Sequence, residues 1–265
     1  THIAPIAFEI ARITDMQEEI FGPVLHVVRW GGEVDAVVAQ INALGYGLTL
    51  GIQTRIDSRA LRIAEAARIG NVYVNRNMIG AVVGVQPFGG EGMSGTGPKA
   101  GGPHYLDRFT CVPPQEGAAA APAPALTASA ALPSLDALLA GQRAWAAQPL
   151  LQRAAAVQRA ASRLDGPTAA LLRRHAERAL SLLADQALPS PTGESNTLRL
   201  HPRGVFAILA QGANAADAAA ATAAALLAGN GVALVDPVGG DTLRAAFADA
   251  GVPGDVIEVV IPTAA

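Results

Sequence analysis

The chain has 265 residues, of which 51% are hydrophobic and only 15% are charged, and this composition excludes a wholly disordered chain and a charged coiled coil. A formal net charge of −3 gives no reason to expect nucleic acid or an anionic membrane as a partner. The single cysteine, Cys111, excludes a disulfide framework and favours a reduced, cytoplasmic setting. No run reaches the roughly 20 strongly apolar residues of a membrane span.

An Ala/Pro-rich stretch at residues 117–133 divides the sequence into two parts of different composition. Residues 1–116 contain 12 alanines, whereas residues 117–265 contain 45. The stretch lacks an apolar period, which is typical of an extended, semi-rigid linker. The sequence therefore predicts a first module at 1–116, a linker at 117–133 and a second module at 134–265.

Short β-rich runs alternate with helical patterns in the first module. The predicted strands are residues 24–30, 48–54 and 71–75, and the predicted helices are residues 33–44 and 57–69. Apolar residues spaced by threes and fours indicate the first helix, and the second is bounded by Asp57 as N-cap and Gly70 after its end. This alternation predicts an α/β fold.

The second module opens with two helical patterns and continues as alternating strands and helices. The helical patterns cover residues 135–164, with a break near Pro149, and residues 168–188; the predicted strands are 204–209, 231–235 and 256–261, separated by helices at 215–228 and 242–250. The strand–helix–strand order predicts a small parallel sheet with right-handed crossovers, as in Rossmann-like domains.

Residues 90–95, GEGMSG, formally match the G-x-G-x-x-G fingerprint of dinucleotide-binding loops. That fingerprint has to follow a strand and open a helix, so that the pyrophosphate meets the helix N-terminus. Here Pro87 lies just before the glycines and Pro98 just after them, so a helix cannot begin where it should. A tight, close-packed turn is favoured over a phosphate-binding loop.

Cys111 and the histidines give no independent sign of a catalytic or metal site. A lone cysteine acts as a nucleophile only where a partner lowers the pKa of its thiol, and Cys111 instead leads into the Pro-rich linker. A structural or incidental role is favoured for it. The five histidines have no metal-ligand spacing, so no metal is predicted.

Several motifs in register resemble one enzyme family. Residues 18–24 (EEIFGPV), 71–75 (NVYVN) and 86–90 (QPFGG) are similar to signatures of the aldehyde dehydrogenase superfamily. Residues 89–105 (GGEGMSGTGPKAGGPHY) resemble one branch, the L-glutamate γ-semialdehyde (Δ1-pyrroline-5-carboxylate) dehydrogenase module of bifunctional proline utilization A. The resemblance covers about residues 1–112.

The resemblance implies roles for five residues. Glu19 would accept hydrogen bonds from the nicotinamide ribose of NAD⁺, and Phe21 would pack near that ribose. Gly80 and Ala81 would present backbone N–H groups to the α-carboxylate of the semialdehyde, and Phe88 would contact its aliphatic part. The alternatives are a helix cap for Glu19, core packing for the two phenylalanines and a simple turn at Gly80.

The resemblance also implies what this chain does not supply. In the family a cysteine nucleophile, a glutamate base and an asparagine oxyanion donor all precede the EEIFGPV region, so the chain alone is expected to be inactive. Its partners would be upstream domains of the same polypeptide, whose proline dehydrogenase domain would hold FAD outside this chain. A homo-oligomer is expected.

The second module resembles the beginning of an aldehyde dehydrogenase, at residues 191–205 and 223–237. Asp236 stands where the family has a lysine for the adenosine ribose, and residues 212–216 replace the family motif that carries the oxyanion asparagine. The resemblance thus predicts an α/β fold in which the end of an aldehyde dehydrogenase catalytic domain is followed by a degenerate, Rossmann-like aldehyde-dehydrogenase-type domain. This second domain is expected to be non-catalytic and to contribute to oligomerisation.

Two other interpretations stay open at the level of sequence. The chain could be a free-standing structural or oligomerisation module that keeps the fold without the chemistry. It could also be a permuted single-chain dehydrogenase, against which Asp236 and the missing nucleophile argue.

Overall fold

The structure is a computed structural model that describes residues 2–16, 18–110, 135–210, 214–235 and 239–260. It divides into two compact units, Thr1–Pro113 with Leu188–Asn196 and Pro114–Ala187 with Thr197–Ala265. The predicted linker at 117–133 lies outside the described residues, and the predicted domain boundaries stay a prediction. One difference is that Leu188–Asn196 groups with the first unit, although the sequence assigns this segment to the second module.

The first unit consists of short strands paired in twos and two helices around a small core. Its strands are β1 (Ile6–Glu9), β2 (Val24–Val27), β3 (Tyr46–Gly47), β4 (Thr49–Ile52), β5 (Asn71–Val74) and β6 (Glu91–Gly92), and its helices are α1 (Val34–Ala43) and α2 (Asp57–Ala66). β1 pairs with β2 and β4 with β5 in parallel, whereas β3 and β6 are antiparallel. The buried core residues are Val38, Ile52, Ile63, Ala67 and Ile69.

Most elements predicted for this unit are confirmed, with shorter bounds. β1, β3 and β6 were not predicted, and two details of the second helix were wrong. Ile56, not Asp57, occupies the N-cap position, and the helix ends at Ala66 because the backbone of Ala67 is extended. Gly70 does not cap the helix; its N–H donates to the carbonyl of Gly47, 2.9 Å away.

The β1–β2 sheet leaves large apolar side chains at the surface of the described chain. Phe8, Leu25 and Val27 are all exposed, and the Phe8 ring stacks on His26 with 6.2 Å between the ring centroids. The buried core of the unit therefore lies around α1, α2 and the β4–β5 pair rather than beneath β1 and β2.

The second unit contains a three-stranded parallel sheet covered by helices. Its elements, together with two short strands that border it in the chain, are α3 (Leu135–Ala146), α4 (Leu150–Ala161), α5 (Gly166–Leu182), β7 (Gln186–Leu188), β8 (Asn196–Leu198), β9 (Val205–Leu209), α6 (Ala215–Leu227), β10 (Gly231–Val235), α7 (Gly240–Asp249) and β11 (Ile257–Val260). The strand order is β11-β10-β9. The central strand is buried along its whole length, as expected of a short apolar run in a parallel sheet.

The predicted parallel sheet and the break at Pro149 are confirmed. Pro149 occupies the N-cap position of α4, where its missing N–H costs nothing. The helix predicted over 168–188 was wrong at its C-terminal end, because α5 stops at Leu182 and Gln186–Leu188 instead pairs as β7 with β8. Among the described residues, no helix is long and apolar enough to cross a membrane.

Side chains from α3 and α4 bind the carbonyl groups at the end of α6. The Trp145 indole N–H donates to the carbonyl of Leu226 (2.9 Å), and the Gln142 amide donates to that of Gly229 (2.8 Å). Arg153 donates to the carbonyl of Leu227 (3.1 Å), and burial lowers the pKa of this guanidinium. The last carbonyls of a helix lack intrahelical partners, so these bonds attach α6 to α3 and α4.

We expect the second unit to depend on tight packing between α4, α5 and α6. Leu172 of α5 is fully buried in this core, so Leu172→Ala should lower the free energy of unfolding by about 2–5 kcal/mol, measured by urea denaturation. The same substitution at the exposed Leu151 of α4 is the control, with an expected change within about 0.5 kcal/mol. Equal losses at both positions would contradict this packing.

Candidate functional site

Glu19 and Phe21 lie on an exposed segment that leads into β2. Among the described residues, the Glu19 carboxylate contacts no hydrogen-bond donor, and no α-helix begins beside it, which removes the helix-cap alternative. Phe21 is 90% exposed, so packing within the described chain does not account for it either. The segment therefore exposes a carboxylate and an aromatic ring two residues apart.

Gly80 and Ala81 lie on a loop at residues 77–86 that follows β5. In the part of the chain that the structure describes, neither of their N–H groups has an acceptor. A Cβ built on Gly80 would have no heavy atom within 4 Å, and its φ lies outside the left-handed region. Neither backbone conformation nor packing within the described chain therefore requires glycine at this position.

Phe88 is half-buried where the chain returns to the start of β5. Its N–H and carbonyl pair with those of Ala100 at 3.0 and 2.9 Å. The buried Asn71 side chain fixes the residues on either side: its amide donates to the carbonyl of Pro87 (2.9 Å) and its carbonyl oxygen accepts from the N–H of Gly89 (3.1 Å). The position of Phe88 is thus set by its backbone pairing with Ala100 and by the Asn71 side chain.

Lys99 joins the same backbone segments. Its ammonium group donates to the carbonyl of Gly89, 2.8 Å away, and to the carbonyl of Gly70. Burial lowers the pKa of Lys99, an effect partly offset by the nearby charge of Glu91. This lysine was not singled out from the sequence.

The glycines at 90–95 form a close-packed turn, as predicted. A Cβ on Gly90 would overlap the backbone of Ser94, and one on Gly95 would lie 2.6 Å from the carbonyl oxygen of Gly90. Gly92 has a φ of +58° and pairs with Tyr46 in the β3–β6 ladder. No helix begins at residues 96–105, which directly follow this turn, so it lacks the geometry of a dinucleotide-binding loop.

Sequence reasoning missed a cluster of Arg76, Gln86 and Glu194. One terminal nitrogen of Arg76, Nη1, donates to both carboxylate oxygens of Glu194, at 3.0 and 2.9 Å. The Gln86 amide donates to the same carboxylate at 3.3 Å. Glu194 is 118 residues from Arg76, and no local pattern signals such a contact.

The structure separates the predicted residues into two groups. Glu19 and Phe21 precede β2, whereas Gly80, Ala81 and Phe88 follow β5, and these two strands belong to different two-stranded sheets. No hydrogen bond or ion pair between described residues joins the groups.

Three features singled out in the sequence lie outside the described residues: Cys111, residues 212–213 and Asp236. Asn214, which follows the second of these, caps α6 by accepting a hydrogen bond from the N–H of Asp217 (2.9 Å). No group of three or more described His, Cys, Asp or Glu residues could hold a metal ion.

Comparison with known proteins identifies the part of the chain that carries these residues. Residues 10–113 match the sequence model of the aldehyde dehydrogenase family. The matched segment makes up 104 of the 265 residues. It contains all five residues assigned a role from the resemblance, together with Asn71 and Lys99.

Relatives extend the similarity beyond this matched segment. The bifunctional protein PutA of Klebsiella aerogenes is 47% identical over 204 residues, 77% of this chain and 15% of the relative, so the match continues into the second half. The 1-pyrroline-5-carboxylate dehydrogenase of Bacillus subtilis is 47% identical over 91 residues, 34% of this chain and 18% of the relative. The chain thus spans about a sixth of the length of these relatives.

A crystal structure of a Bradyrhizobium japonicum proline utilization A mutant is also similar. The two chains are 59% identical over an alignment that covers 40% of this chain and 11% of the crystallised chain, with a TM-score of 0.39. The similar proteins include bifunctional protein PutA and 1-pyrroline-5-carboxylate dehydrogenase, as the sequence motifs predicted.

We expect Asn71 to hold the segment around Phe88 in place. Asn71→Ala leaves the carbonyl of Pro87 and the N–H of Gly89 without their partner, which should cost about 1–3 kcal/mol in the free energy of unfolding. Urea denaturation measures this loss, and limited proteolysis should show earlier cleavage near Phe88.

Asn42 provides the matched control for Asn71. Its side chain donates to the carbonyl of Ala66 (2.9 Å) and accepts from the N–H of Arg68 (2.8 Å), but these bonds are exposed to solvent. Water can replace them, so Asn42→Ala should cost less. An Asn71 variant as stable as the Asn42 variant would contradict the assigned role.

Proposed function

We propose that this chain contributes part of the substrate and cofactor sites of a dehydrogenase that oxidises L-glutamate γ-semialdehyde to glutamate with NAD⁺. The two acceptor-free N–H groups at Gly80 and Ala81 carry the proposal. The names of the relatives, bifunctional protein PutA and 1-pyrroline-5-carboxylate dehydrogenase, support the choice of substrate. In such a polypeptide the reaction would be one step of proline catabolism.

Gly80 and Ala81 form the anchor for the substrate α-carboxylate in this proposal. Adjacent N–H groups that lack acceptors are a natural binding site for an anion. A residue with a side chain at position 80 would obstruct the approach to these donors, which gives a reason for glycine where the conformation does not demand it. Phe88 would contact the aliphatic carbons between the carboxylate and the aldehyde.

Glu19 and Phe21 fit the ribose and nicotinamide of NAD⁺. A carboxylate only accepts hydrogen bonds, and the two hydroxyl groups of a ribose are donors that can reach its oxygens. The exposed ring of Phe21 offers an apolar surface beside it. When bound, the cofactor supplies the hydride acceptor, while these residues bind and orient it.

The remaining functions belong to the polypeptide as a whole. A cysteine nucleophile and a glutamate base outside these 265 residues would complete the site, which leaves the chain alone inactive, and FAD would serve a separate proline dehydrogenase domain. The second module would be non-catalytic and support a homo-oligomer in the cytoplasm. A purely structural module is not favoured, because the relatives are named as bifunctional protein PutA and as a dehydrogenase.

We expect Gly80→Val to impair substrate binding selectively. In a polypeptide that joins this chain to the upstream catalytic segment, KM for the semialdehyde should rise at least about tenfold, the scale of a lost charged hydrogen bond, while KM for NAD⁺ is unchanged. NADH formation measures both. Gly31→Val is the control, since a Cβ added to Gly31 would also have no heavy atom within 4 Å and its φ is not positive. An unchanged KM at Gly80→Val would contradict the anchor.

We expect Glu19→Ala to impair cofactor binding instead. Removal of the carboxylate takes away the acceptor for the ribose hydroxyls, so KM for NAD⁺ should rise about tenfold while KM for the semialdehyde stays the same. The neighbouring exposed Glu18 provides the control, because Glu18→Ala changes the net charge equally. The ribose role is wrong if both variants keep the KM for NAD⁺ of the unmodified enzyme.

A further inference from the structure

We propose that Glu194 is a positioning residue for the anchor loop, defined as residues 77–86. Through Arg76 and Gln86 it would hold this loop in the conformation that presents the N–H groups of Gly80 and Ala81. The inference rests on the proposed function, in which these groups bind the substrate carboxylate. Glu194 itself would touch neither substrate nor cofactor.

The turn that carries Glu194 is stabilised by hydrogen bonds between its own residues. It connects β7 to β8 and lies within Leu188–Asn196, which belongs to the first unit. The Ser190 hydroxyl accepts from the N–H of Asn196 (2.9 Å) and donates to the carbonyl of Leu188 (3.1 Å), and the N–H of Glu194 donates to the carbonyl of Pro191 (3.1 Å). The carboxylate is therefore presented from a turn with its own hydrogen bonds.

The Glu194 carboxylate binds one side chain at each end of the anchor loop. Arg76 immediately precedes the loop, and Gln86 is its last residue. The Gln86 side chain also binds within the loop, because its carbonyl oxygen accepts a hydrogen bond from the N–H of Val82, 3.0 Å away. Val82 directly follows Ala81, so a chain of hydrogen bonds runs from Glu194 to the residue beside the anchor.

Arg76 is fixed on its other sides as well. Its guanidinium lies over the ring of Tyr73, 5.3 Å from the centroid, and its carbonyl accepts from the Gln53 amide at 3.2 Å. The side chains of Arg76 and Glu194 are 25% and 35% exposed, against 82% and 57% for the surface pair Arg29–Glu9. Solvent screens the first pair less, so its removal should have a larger effect.

Positioning matters here because the anchor consists of backbone donors. A carboxylate is bound well only if both N–H groups already point to the place it will occupy; otherwise binding has to order the loop first. Without the Glu194 contacts, the loop would still carry the N–H groups of Gly80 and Ala81, but it would sample more conformations. The expected consequence is weaker binding of the carboxylate without loss of the site.

The test is Glu194→Gln in the full polypeptide that contains these 265 residues. KM for the semialdehyde should rise about tenfold, the scale of a lost charged hydrogen bond, with KM for NAD⁺ unchanged. An aliphatic aldehyde of similar length without a carboxylate should keep its KM. Backbone hydrogen exchange of the anchor loop, followed by mass spectrometry, should become faster. Glu9→Gln, which breaks the Arg29–Glu9 pair, is the matched control and should change none of these quantities.

A second variant tests the route of the effect. In an Arg76→Gln background the carboxylate has lost its main partner, so Glu194→Gln should add much less than its single effect. Full additivity of the two substitutions would overturn the coupling through Arg76.

The outcomes separate this inference from the proposed function. Unchanged KM and unchanged loop exchange in Glu194→Gln, with an unmodified polypeptide that prefers the semialdehyde to the carboxylate-free aldehyde, would overturn the positioning role alone. Faster exchange across the whole first unit would also overturn it, since that result assigns Glu194 a general structural role. An unmodified polypeptide that does not oxidise the semialdehyde would overturn the proposed function and the inference with it.

Discussion

The close approach of two backbone segments, at Gly70 and at Gly89, is the constraint on which the candidate substrate site depends. A Cβ on Gly70 would overlap the carbonyl oxygen of Gly89, so only glycine allows the two segments to come this near. Lys99 donates to the carbonyls of both glycines, and Asn71 binds the segment on either side of Phe88. The chain leaves this crossing as β5 and returns to it just after the anchor loop.

Because of this crossing, both ends of the anchor loop are fixed. In its middle, the N–H groups of Gly80 and Ala81 have no acceptor among the described residues. At its start the chain is held by the pairing of β5 with β4 and by the contacts of Arg76; at its end it is held by Asn71. Fixing the ends reduces the conformational freedom of the ten residues between them without using the N–H groups of Gly80 and Ala81. The N–H groups of Gly80 and Ala81 therefore stay available while the loop around them is restrained, which a backbone anion site requires.

Local patterns in the sequence were enough to predict most helices and several strands, but they did not predict which short strands pair with each other. The break at Pro149 and the buried β10 follow from residues adjacent in sequence, and both were predicted. β1 was missed because it pairs with β2 in parallel across residues 10–23, and parallel strands are not joined by a tight turn that the sequence could signal. Residues Gln186–Leu188 continue an apolar helical pattern, so they were assigned to a helix, although pairing with β8 determines their structure.

The same distinction explains which site residues could be found. Glu19, Gly80 and Phe88 lie within contiguous motifs, whereas Glu194 becomes relevant only through a contact across 118 residues. Lys99 is a more instructive case, because it is the only lysine among 19 basic residues and composition alone suggested no role for it. Its compact ammonium can donate to two converging carbonyl oxygens in a narrow space, whereas the planar, wider guanidinium of arginine suits a flat, bidentate partner. The exception in the composition thus coincides with the backbone crossing at Gly70 and Gly89.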